Sequence, residues 1–459
     1  MRYLPNSDSD RAAMLEATGR ASVEELFEQI PEELRFKGRL NLPGPFSEPE
    51  ILEFFREAAR RSCHDYVSFL GAGAYRHYIP VAVTALLSRG EFFTAYTPYQ
   101  AEIAQGTLQA MFEFQTLMTQ LTGMEVSNAS LYDGSTATTE AVLMALRVTR
   151  HSRVLIARTL HPEYGEVLRT FIRQQGVRLH EVSYEESGQL DLGRLEASLD
   201  SETAAVVVQS PNFFGTLENT GALAEAVHRR GALLIVSVTE PLSLALAKPP
   251  READVVCGEA QSFGVPLAFG GPYVGFLTTK TKFLRQMPGR LVGQTVDAQG
   301  RRGFVLTLAT REQHIRREKA TSNICTNQSL CALAVTIYLS LLGKNGLRKL
   351  AEQNLAKAHY AARQLGAIPG AALPFRGPFF NEFVLKAPGD VSELLAEWQK
   401  QQILGGLNLE RFYPELRDHL LLCVTETISR EAIDRAVEVF SRAVGAPLVG
   451  ARGVHKSLP

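Results

Sequence analysis

The sequence predicts an α/β fold in which a large domain with a mostly parallel sheet precedes a smaller α+β domain. Between about residues 100 and 330, short apolar runs alternate with segments of helical spacing. That alternation is typical of a parallel sheet covered by helices on both faces. With 459 residues and 45% hydrophobic content, the chain has enough apolar side chains to bury such a core.

The predicted elements follow from the period of the apolar residues. Strands in the large domain are predicted at residues 153–157, 204–209, 232–238, 254–257 and 273–278. Helices there are predicted at residues 101–121, 135–148, 162–174 and 221–230. Beyond residue 330 we expect two long helical segments, strands at residues 382–386 and 420–423, a helix at residues 391–401 and a last helix ending near Val444.

These elements predict four regions. Residues 1–80 form a helical N-terminal arm, with helices expected at residues 22–29 and 48–61. Residues 81–330 form the large α/β domain and residues 331–446 the small α+β domain. The Gly- and Pro-containing residues 447–459 are expected to be a flexible tail.

Composition argues against several classes of function. A formal net charge of −1 gives no basic surface for nucleic acid or anionic lipid. We expect no membrane-spanning segment and a cytoplasmic location, because no apolar run approaches the roughly 20 residues that a span requires. Neither a disulfide framework nor a metal site is predicted from the five scattered cysteines, which we expect to be buried free thiols: Cys63, Cys257, Cys325, Cys331 and Cys423.

The segment Asp133, Gly134, Ser135 and Thr136 precedes an apolar helix. A helix N-terminus has free backbone N–H groups and the positive end of the helix dipole, which suit a phosphate. A simple helix cap at Asp133 or Ser135 explains the same residues and is favoured on this segment alone.

Three further segments are candidates for a ligand-facing surface. Residues 71–80 and 92–106 combine glycines with polar aromatic residues, which favours either a binding surface or an internal tyrosine cluster. Residues 311–328 carry five cationic residues. A solvated charged helix followed by a cap at Thr321 or Ser322 is the ordinary interpretation of that cluster.

Taken in order, the segments GAGAYRHYIP, YTPYQAEIAQGTLQAMFEFQ, LYDGSTATTEA, QSPNFFGTLE, FGGPYVGF and REQHIRREKATSNICTNQ closely resemble the N-terminal-type half of glycine decarboxylase, the P protein of the glycine cleavage system. The resemblance covers roughly residues 1–446. It implies the aspartate-aminotransferase-like fold, fold type I, of enzymes that use pyridoxal phosphate (PLP).

In that fold a lysine holds PLP covalently and an acid faces the ring nitrogen. Aligned with the family's lysine-bearing loop, Gln261 stands where the lysine is expected and Ser237 where the acid is expected. No lysine at all lies between Lys37 and Lys248, and the next is Lys280. An amide nitrogen is not a useful nucleophile, so the resemblance implies a vestigial cofactor pocket around Gly134, Ser135, Thr136, Ser237 and Gln261.

The resemblance therefore implies subunit 1 of the two-subunit bacterial glycine dehydrogenase (aminomethyl-transferring), an oxidoreductase of glycine catabolism. PLP is expected on the partner, subunit 2, and the lipoyl arm of the H protein accepts the aminomethyl group of glycine. A dimer of heterodimers is the expected assembly. The candidates for lining the partner's active site are Tyr75, Arg76, His77, Tyr78, Tyr96, Thr97 and Tyr99, with Arg76 or Arg316 as a carboxylate clamp or as a surface ion pair.

Two alternatives remain at this stage. A stand-alone PLP enzyme requires Lys248 or Lys280 as the cofactor-holding lysine. A purely structural subunit requires only that the chain stabilise its partner.

Overall fold

The computed structural model describes residues 5–62, 65–268 and 270–445. The predicted tail, residues 447–459, lies outside the described residues. The chain divides into two compact units, residues 1–64 and residues 65–459. The domain boundaries expected at residues 80 and 330 stay predictions.

The first unit contains two helices, α1 (Asp8–Ala17) and α2 (Glu48–Arg60). Both begin with a capping box, in which Ser7 and Ser47 pair with an acid three residues later. The predicted helix at residues 48–61 is confirmed. The one expected at residues 22–29 is wrong, because only a 3₁₀ turn, Glu24–Phe27, forms there.

The second unit holds the remaining helices and all the strands of the described residues. The helices are α3 (Val81–Leu87), α4 (Gly90–Phe93), α5 (Gln105–Thr122), α6 (Gly134–Thr149), α7 (Pro162–Ile172), α8 (Leu192–Ser198), α9 (Thr220–His228), α10 (Gln313–Arg316), α11 (Ser329–Gly366), α12 (Val391–Lys400) and α13 (Arg430–Ala443). The strands are β1 (Val67–Ser68), β2 (Val126–Ser127), β3 (Arg153–Ala157), β4 (Arg178–Val182), β5 (Thr203–Gln209), β6 (Leu233–Val238), β7 (Val255–Glu259), β8 (Gly275–Thr279), β9 (Leu291–Val296), β10 (Arg302–Thr307), β11 (Glu382–Lys386), β12 (Ile403–Leu404), β13 (Leu407–Asn408) and β14 (His419–Cys423).

The main sheet has seven strands in the order β2-β8-β7-β6-β5-β3-β4. Strands β3 to β7 are all parallel, whereas β8 runs antiparallel to both of its neighbours. The predicted mostly parallel sheet is confirmed. Its parallel strands bring their carboxyl ends to one edge, where open α/β sheets usually bind ligands.

Both faces of this sheet are buried. Along β5, Val206 and Val208 point into a cluster that includes side chains of α5, α9 and α11. Ala205 and Val207 point to the opposite face, into a cluster that includes side chains of α6 and α7. Alternate side chains of a strand point to opposite faces, so a strand covered on both sides appears in the sequence as a continuous apolar run.

The C-terminal part contains a three-stranded antiparallel sheet, β11-β14-β13. Helices α11, α12 and α13 supply its hydrophobic cluster, in which Trp398 is fully buried. Helix α11 is continuous in its residue range but is broken at Gly343, whose φ is 56°. The two long helical segments expected beyond residue 330 are therefore the two halves of α11.

Helix α11 is also long and apolar enough to cross a membrane by length and composition alone. The reason given for expecting no span, that no apolar stretch is long enough, therefore does not hold for this helix, while the absence of a span stays a prediction. Ala332, Val335 and Leu339 in its first half are buried in the main hydrophobic cluster. This packing accounts for its apolar composition.

The prediction that the five cysteines are buried free thiols is partly wrong. Cys257 and Cys423 are buried free thiols, but Cys331 is only partly buried and Cys325 is exposed. Cys63 lies outside the described residues. Cys325 is exposed because it falls in the irregular segment between α10 and α11 and not on a strand or a core helix.

Candidate functional site

The candidate site lies at the carboxyl edge of the main sheet, where β6 and β7 end next to the start of α6. Asp133 caps α6: its carboxylate accepts a hydrogen bond from the backbone N–H of Thr136 at 2.7 Å. The Thr136 hydroxyl in turn accepts one from the Asp133 N–H at 3.1 Å. Ser135 also donates its hydroxyl proton to the Asp133 carboxylate. The helix-cap interpretation of this segment is confirmed.

The free N–H at this helix terminus is taken by an acid of the same chain. The backbone N–H of Gly134 donates to the carboxylate of Glu259, the last residue of β7, at 2.9 Å. The other oxygen of Glu259 accepts from the N–H groups of Gln261 and Val274 at 3.0 and 2.9 Å. Burial raises the pKa of Glu259 to about 7, although these three N–H donors favour its charged form. A carboxylate thus takes the N–H of the first residue of α6, one of the groups that a phosphate at this terminus would need.

Gln261 is buried, and both the oxygen and the nitrogen of its side-chain amide are hydrogen-bonded. Its side-chain oxygen accepts from the backbone N–H of Tyr75 at 3.0 Å. Its side-chain nitrogen donates to the carbonyl oxygens of Tyr75 and Val265 at 3.2 and 2.7 Å. Gln261, at the expected lysine position, therefore joins the residues after β7 to segment 71–80 by hydrogen bonds.

Ser237, at the expected position of the acid, lies fully buried on β6. Its hydroxyl shares a hydrogen bond of 2.9 Å with the hydroxyl of Thr138 on α6. Neither hydroxyl carries the negative charge that would keep a pyridinium ring protonated. Together with the Glu259 contact and the amide of Gln261, this donor set does not fit PLP in this chain.

Segment 71–80 is anchored to the C-terminal part of the chain through buried acids. Tyr75 donates its hydroxyl proton to Glu382 on β11 at 2.7 Å, and Glu382 also accepts from the N–H of Ala72 at 2.6 Å. Burial raises the pKa of Glu382 to about 7 and, for the same reason, raises the pKa of Tyr75. Tyr75 is therefore an internal residue of this chain.

His77 lies between two carboxylates. Its Nε2 is 3.0 Å from Glu240 and its Nδ1 is 2.8 Å from Glu426. Burial alone lowers the pKa of His77, but the two carboxylates outweigh it and raise the pKa to about 10. Burial likewise opposes the charge of Glu426, yet hydrogen bonds from His77, from the N–H of Tyr78 and from Asn354 lower its pKa to about 2. The imidazolium and its partners form a buried ionic cluster, which we call the His77 cluster.

The other candidates of segments 71–80 and 92–106 face outward. Arg76 is exposed, and the exposed fractions of Tyr78, Tyr96 and Tyr99 are 64%, 86% and 61%. Thr97 is partly buried and accepts a hydrogen bond from Arg290 at 3.0 Å. The two segments therefore present aromatic side chains to the outside of the chain.

The cationic cluster at residues 311–328 forms only short turns, α10 and the 3₁₀ turn Arg317–Lys319. The expected cap at Thr321 or Ser322 is wrong, because the next helix begins at Ser329 after Gln328 and its first turn has no side-chain cap. Arg316 is exposed at the end of α10.

Neither alternative lysine lies at the site. Lys280 follows β8, whose last residue pairs with Val255 at the amino end of β7, so it lies at the opposite edge of the sheet. Lys248 is exposed and pairs with Glu252. Neither of the two lysines that the stand-alone PLP enzyme requires is therefore placed to hold the cofactor.

Several residues of this site were missed from the sequence. Glu259 could have been predicted as a site residue, because it is an acid at the end of an apolar run, two residues before Gln261. Glu240, Glu426 and Arg290 could not, because their partners lie between 35 and 349 residues away in the chain. Contacts of that range appear only in the folded chain.

Comparison with known proteins decides which family this site belongs to. A family model described as glycine cleavage system P-protein matches residues 1–440. The chain belongs to this family. In Koribacter versatilis, a probable glycine dehydrogenase (decarboxylating) subunit 1 is 55% identical over 95% of this chain and 99% of the relative. The protein of that name in Solibacter usitatus is 56% identical over 95% of this chain and 96% of the relative.

Solved structures agree with the family. A glycine decarboxylase (P-protein) crystallised in inhibitor-bound form is 42% identical, with a TM-score of 0.86 over 96% of this chain and all of that chain. The Lactobacillus brevis glutamate decarboxylase, at 13% identity and a TM-score of 0.69, shares the fold alone, over 92% of this chain and 98% of that chain. The predicted fold type I is confirmed, and both the family and the fold are PLP-dependent. The name "subunit 1" implies a two-subunit complex.

Proposed function

We propose that this chain is the subunit of a two-subunit glycine decarboxylase that lacks the cofactor-holding lysine. With its partner, subunit 2, it decarboxylates glycine and passes the aminomethyl group to the lipoyl arm of the H protein. The relatives named subunit 1 match nearly the whole chain, which supports this assignment. PLP belongs to the partner in this proposal.

One observation supports the assignment of PLP to subunit 2 and not to this chain. The former cofactor position is closed by Gln261, whose amide is fully hydrogen-bonded, and by Glu259, which takes the N–H of Gly134. An amide provides no amine for a Schiff base, and the Gly134 N–H is already bound by Glu259 and is not free for a phosphate. This closed position supports the proposal that another polypeptide supplies the covalent cofactor chemistry.

This chain contributes to the partner's active site through its exposed aromatic segments. Tyr75 and His77 lie inside the chain and hold segment 71–80, so their part is to support its exposed neighbours. The residues that line the partner's site are then Arg76, Tyr78, Tyr96, Thr97 and Tyr99. The support for Tyr78, Tyr96 and Tyr99 is that exposed aromatic side chains are common contact residues in assemblies. Arg76 is exposed beside Tyr78, and the partly buried Thr97 lies between Tyr96 and Tyr99.

The test replaces Tyr96 and Tyr99 separately with Phe in the reconstituted complex with subunit 2 and lipoylated H protein. If the hydroxyls orient the substrate or the lipoyl arm, kcat/KM falls by about tenfold or more in each variant. Tyr360→Phe is the matched control, because its hydroxyl bonds Asp434 between α11 and α13. Unchanged kinetics in both test variants would remove these residues from the site.

A structural subunit is the second candidate. The closed former pocket favours it, since the side chains of Gln261, Glu259 and Ser237 all bind other groups of the chain. The same loop variants separate the two candidates, because a scaffold tolerates them as long as the complex assembles. The dimer of heterodimers and the cytoplasmic location stay predictions. Light scattering on the purified complex measures the first.

A further inference from the structure

Arg290 joins two exposed segments that lie far apart in the sequence. It directly precedes β9 and is only 3% exposed. Its Nη1 donates to the hydroxyls of Thr97 and Thr326 at 3.0 and 2.8 Å. Its Nη2 donates to the hydroxyl of Tyr99 and the carbonyl of Cys325 at 3.1 and 3.0 Å. Its guanidinium also lies 5.5 Å from the centre of the Tyr99 ring.

The strand next to Arg290 does not depend on this side chain. Gln115 of α5 holds β9 by two hydrogen bonds with the backbone of Val292, at 2.9 and 3.0 Å. Arg311 binds the carbonyl oxygens of Met287 and Gly289 in the turn before it. All four hydrogen bonds of the Arg290 side chain therefore go to residues 97–99 and 325–326.

The chemistry of the contact requires an arginine. A planar guanidinium directs its N–H groups along fixed lines and can bridge two segments at once, whereas a lysine ammonium is a compact charge without that fork. The Nε of Arg290 makes no hydrogen bond in the described residues, and the nearest acid, Glu312, is 4.0 Å away. The cation is thus held mainly by uncharged partners on the two segments.

We propose that Arg290 is a positioning residue of glycine decarboxylation. It fixes residues 97–99 against residues 325–326, and so sets where the rings of Tyr96 and Tyr99 meet the partner's active site. This inference rests on the proposed function. It adds a buried residue that touches neither substrate nor cofactor and acts through Thr97 and Tyr99.

The test uses the full chain with Arg290→Lys, assembled with subunit 2 and assayed with glycine and lipoylated H protein. A misplacement of about 1 Å costs up to about 100-fold in rate, so we expect kcat/KM to fall about 10- to 100-fold while the complex still assembles. Arg153→Lys is the matched control, because Arg153 binds the Ser198 carbonyl and Asp200 at the amino end of β3. It leaves kcat/KM unchanged.

A second variant keeps the test valid if Arg290→Lys fails to fold. Thr97→Val removes one acceptor of the guanidinium and preserves the shape of the side chain. If both residues act through one segment, the double variant loses no more activity than the worse single variant, since coupled sites are not additive. Additive losses, or a loss of Arg290→Lys activity that follows thermal stability alone, would overturn the proposal.

The outcomes also separate this inference from the proposed function. If Tyr96→Phe and Tyr99→Phe lower kcat/KM but Arg290→Lys does not, only the role of Arg290 fails. If none of the three changes kcat/KM, the segments do not reach the partner's site, and the part proposed for them there fails as well.

Discussion

The helix terminus at Gly134 and the exposed segments around Tyr78 and Tyr96 use their polar groups in opposite ways. At the terminus, Glu259 binds the Gly134 N–H, and Gln261, at the expected lysine position, binds the backbone of Tyr75. In the segments, large aromatic side chains are exposed, while the buried side chains of His77 and Arg290 bind Glu426 and the Tyr99 hydroxyl. The chain thus closes the cofactor position of its fold while it keeps exposed aromatic segments, to which we assign a role in the partner's site.

Removal of the His77 imidazole tests how firmly segment 71–80 is held, and it has the largest expected effect. His77→Leu leaves Glu240 and Glu426 buried without their cation, which costs about 3–5 kcal/mol of unfolding free energy. Urea denaturation followed by circular dichroism measures it. Arg76→Gln, at the exposed neighbour, changes stability by less than about 0.5 kcal/mol. A loss below about 1 kcal/mol in His77→Leu would contradict the ionic cluster.

The same cluster predicts a pH dependence. The pKa of His77 is raised from 6.5 to about 10 in the folded chain. A raised pKa means that the stabilisation is complete below the unfolded value and is lost as pH rises through the folded value. The stability difference between the unmodified chain and His77→Leu therefore shrinks between about pH 7 and pH 10, by at most about 1.4 kcal/mol per pH unit. A difference that stays constant with pH would show that His77 is neutral.

Glu259→Gln tests the closed helix terminus. The two carboxylate oxygens of Glu259 accept hydrogen bonds from three backbone N–H groups. The substitution replaces one of these oxygens with an NH₂ group, which cannot accept, so the unfolding free energy falls by about 1–3 kcal/mol. Glu186→Gln, on an exposed acid, is the control. Once folded and assembled, Glu259→Gln keeps normal decarboxylation, because the terminus takes no part in the chemistry. A large loss of kcat at normal stability would place the terminus in the reaction.

The smallest effect on stability is expected in the open segments. Tyr96→Phe changes unfolding free energy by less than about 0.5 kcal/mol, because the side chain is 86% exposed. Its effect on kcat/KM in the complex is nevertheless expected to be about tenfold or more. Equal and small effects on both quantities would erase the contrast between the two regions.

The fold was largely predictable because its central strands are buried on both faces. The run at residues 153–157 matches β3, inside the main sheet, at both ends. The run at residues 382–386 matches β11, an edge strand of the small sheet whose first four residues are buried. The hairpin of β9 and β10 was missed because its exposed residues, such as Gln294 and Arg302, interrupt any apolar pattern. The strand β4 was missed for the same reason, since it forms an edge of the sheet with mostly exposed side chains.

The candidate site was predictable only where a local motif marks it. Gln261 and Ser237 were found because the family resemblance gives each a place in the chain. The partners that explain them, Tyr75 and Thr138, come together only through the fold, and so do the three residues of the His77 cluster. Burial within the chain separated Tyr75 and His77 from their exposed neighbours, which the sequence had grouped together.

The most direct test of the shared active site is to locate the cofactor chemically. This chain, subunit 2 and their complex are each incubated with PLP, reduced with borohydride and mapped by mass spectrometry of their peptides. The account predicts one stoichiometric phosphopyridoxyl lysine on subunit 2 and none on this chain. Stoichiometric modification of Lys248, Lys280 or any other lysine of this chain, with glycine turnover by the chain alone, would contradict it.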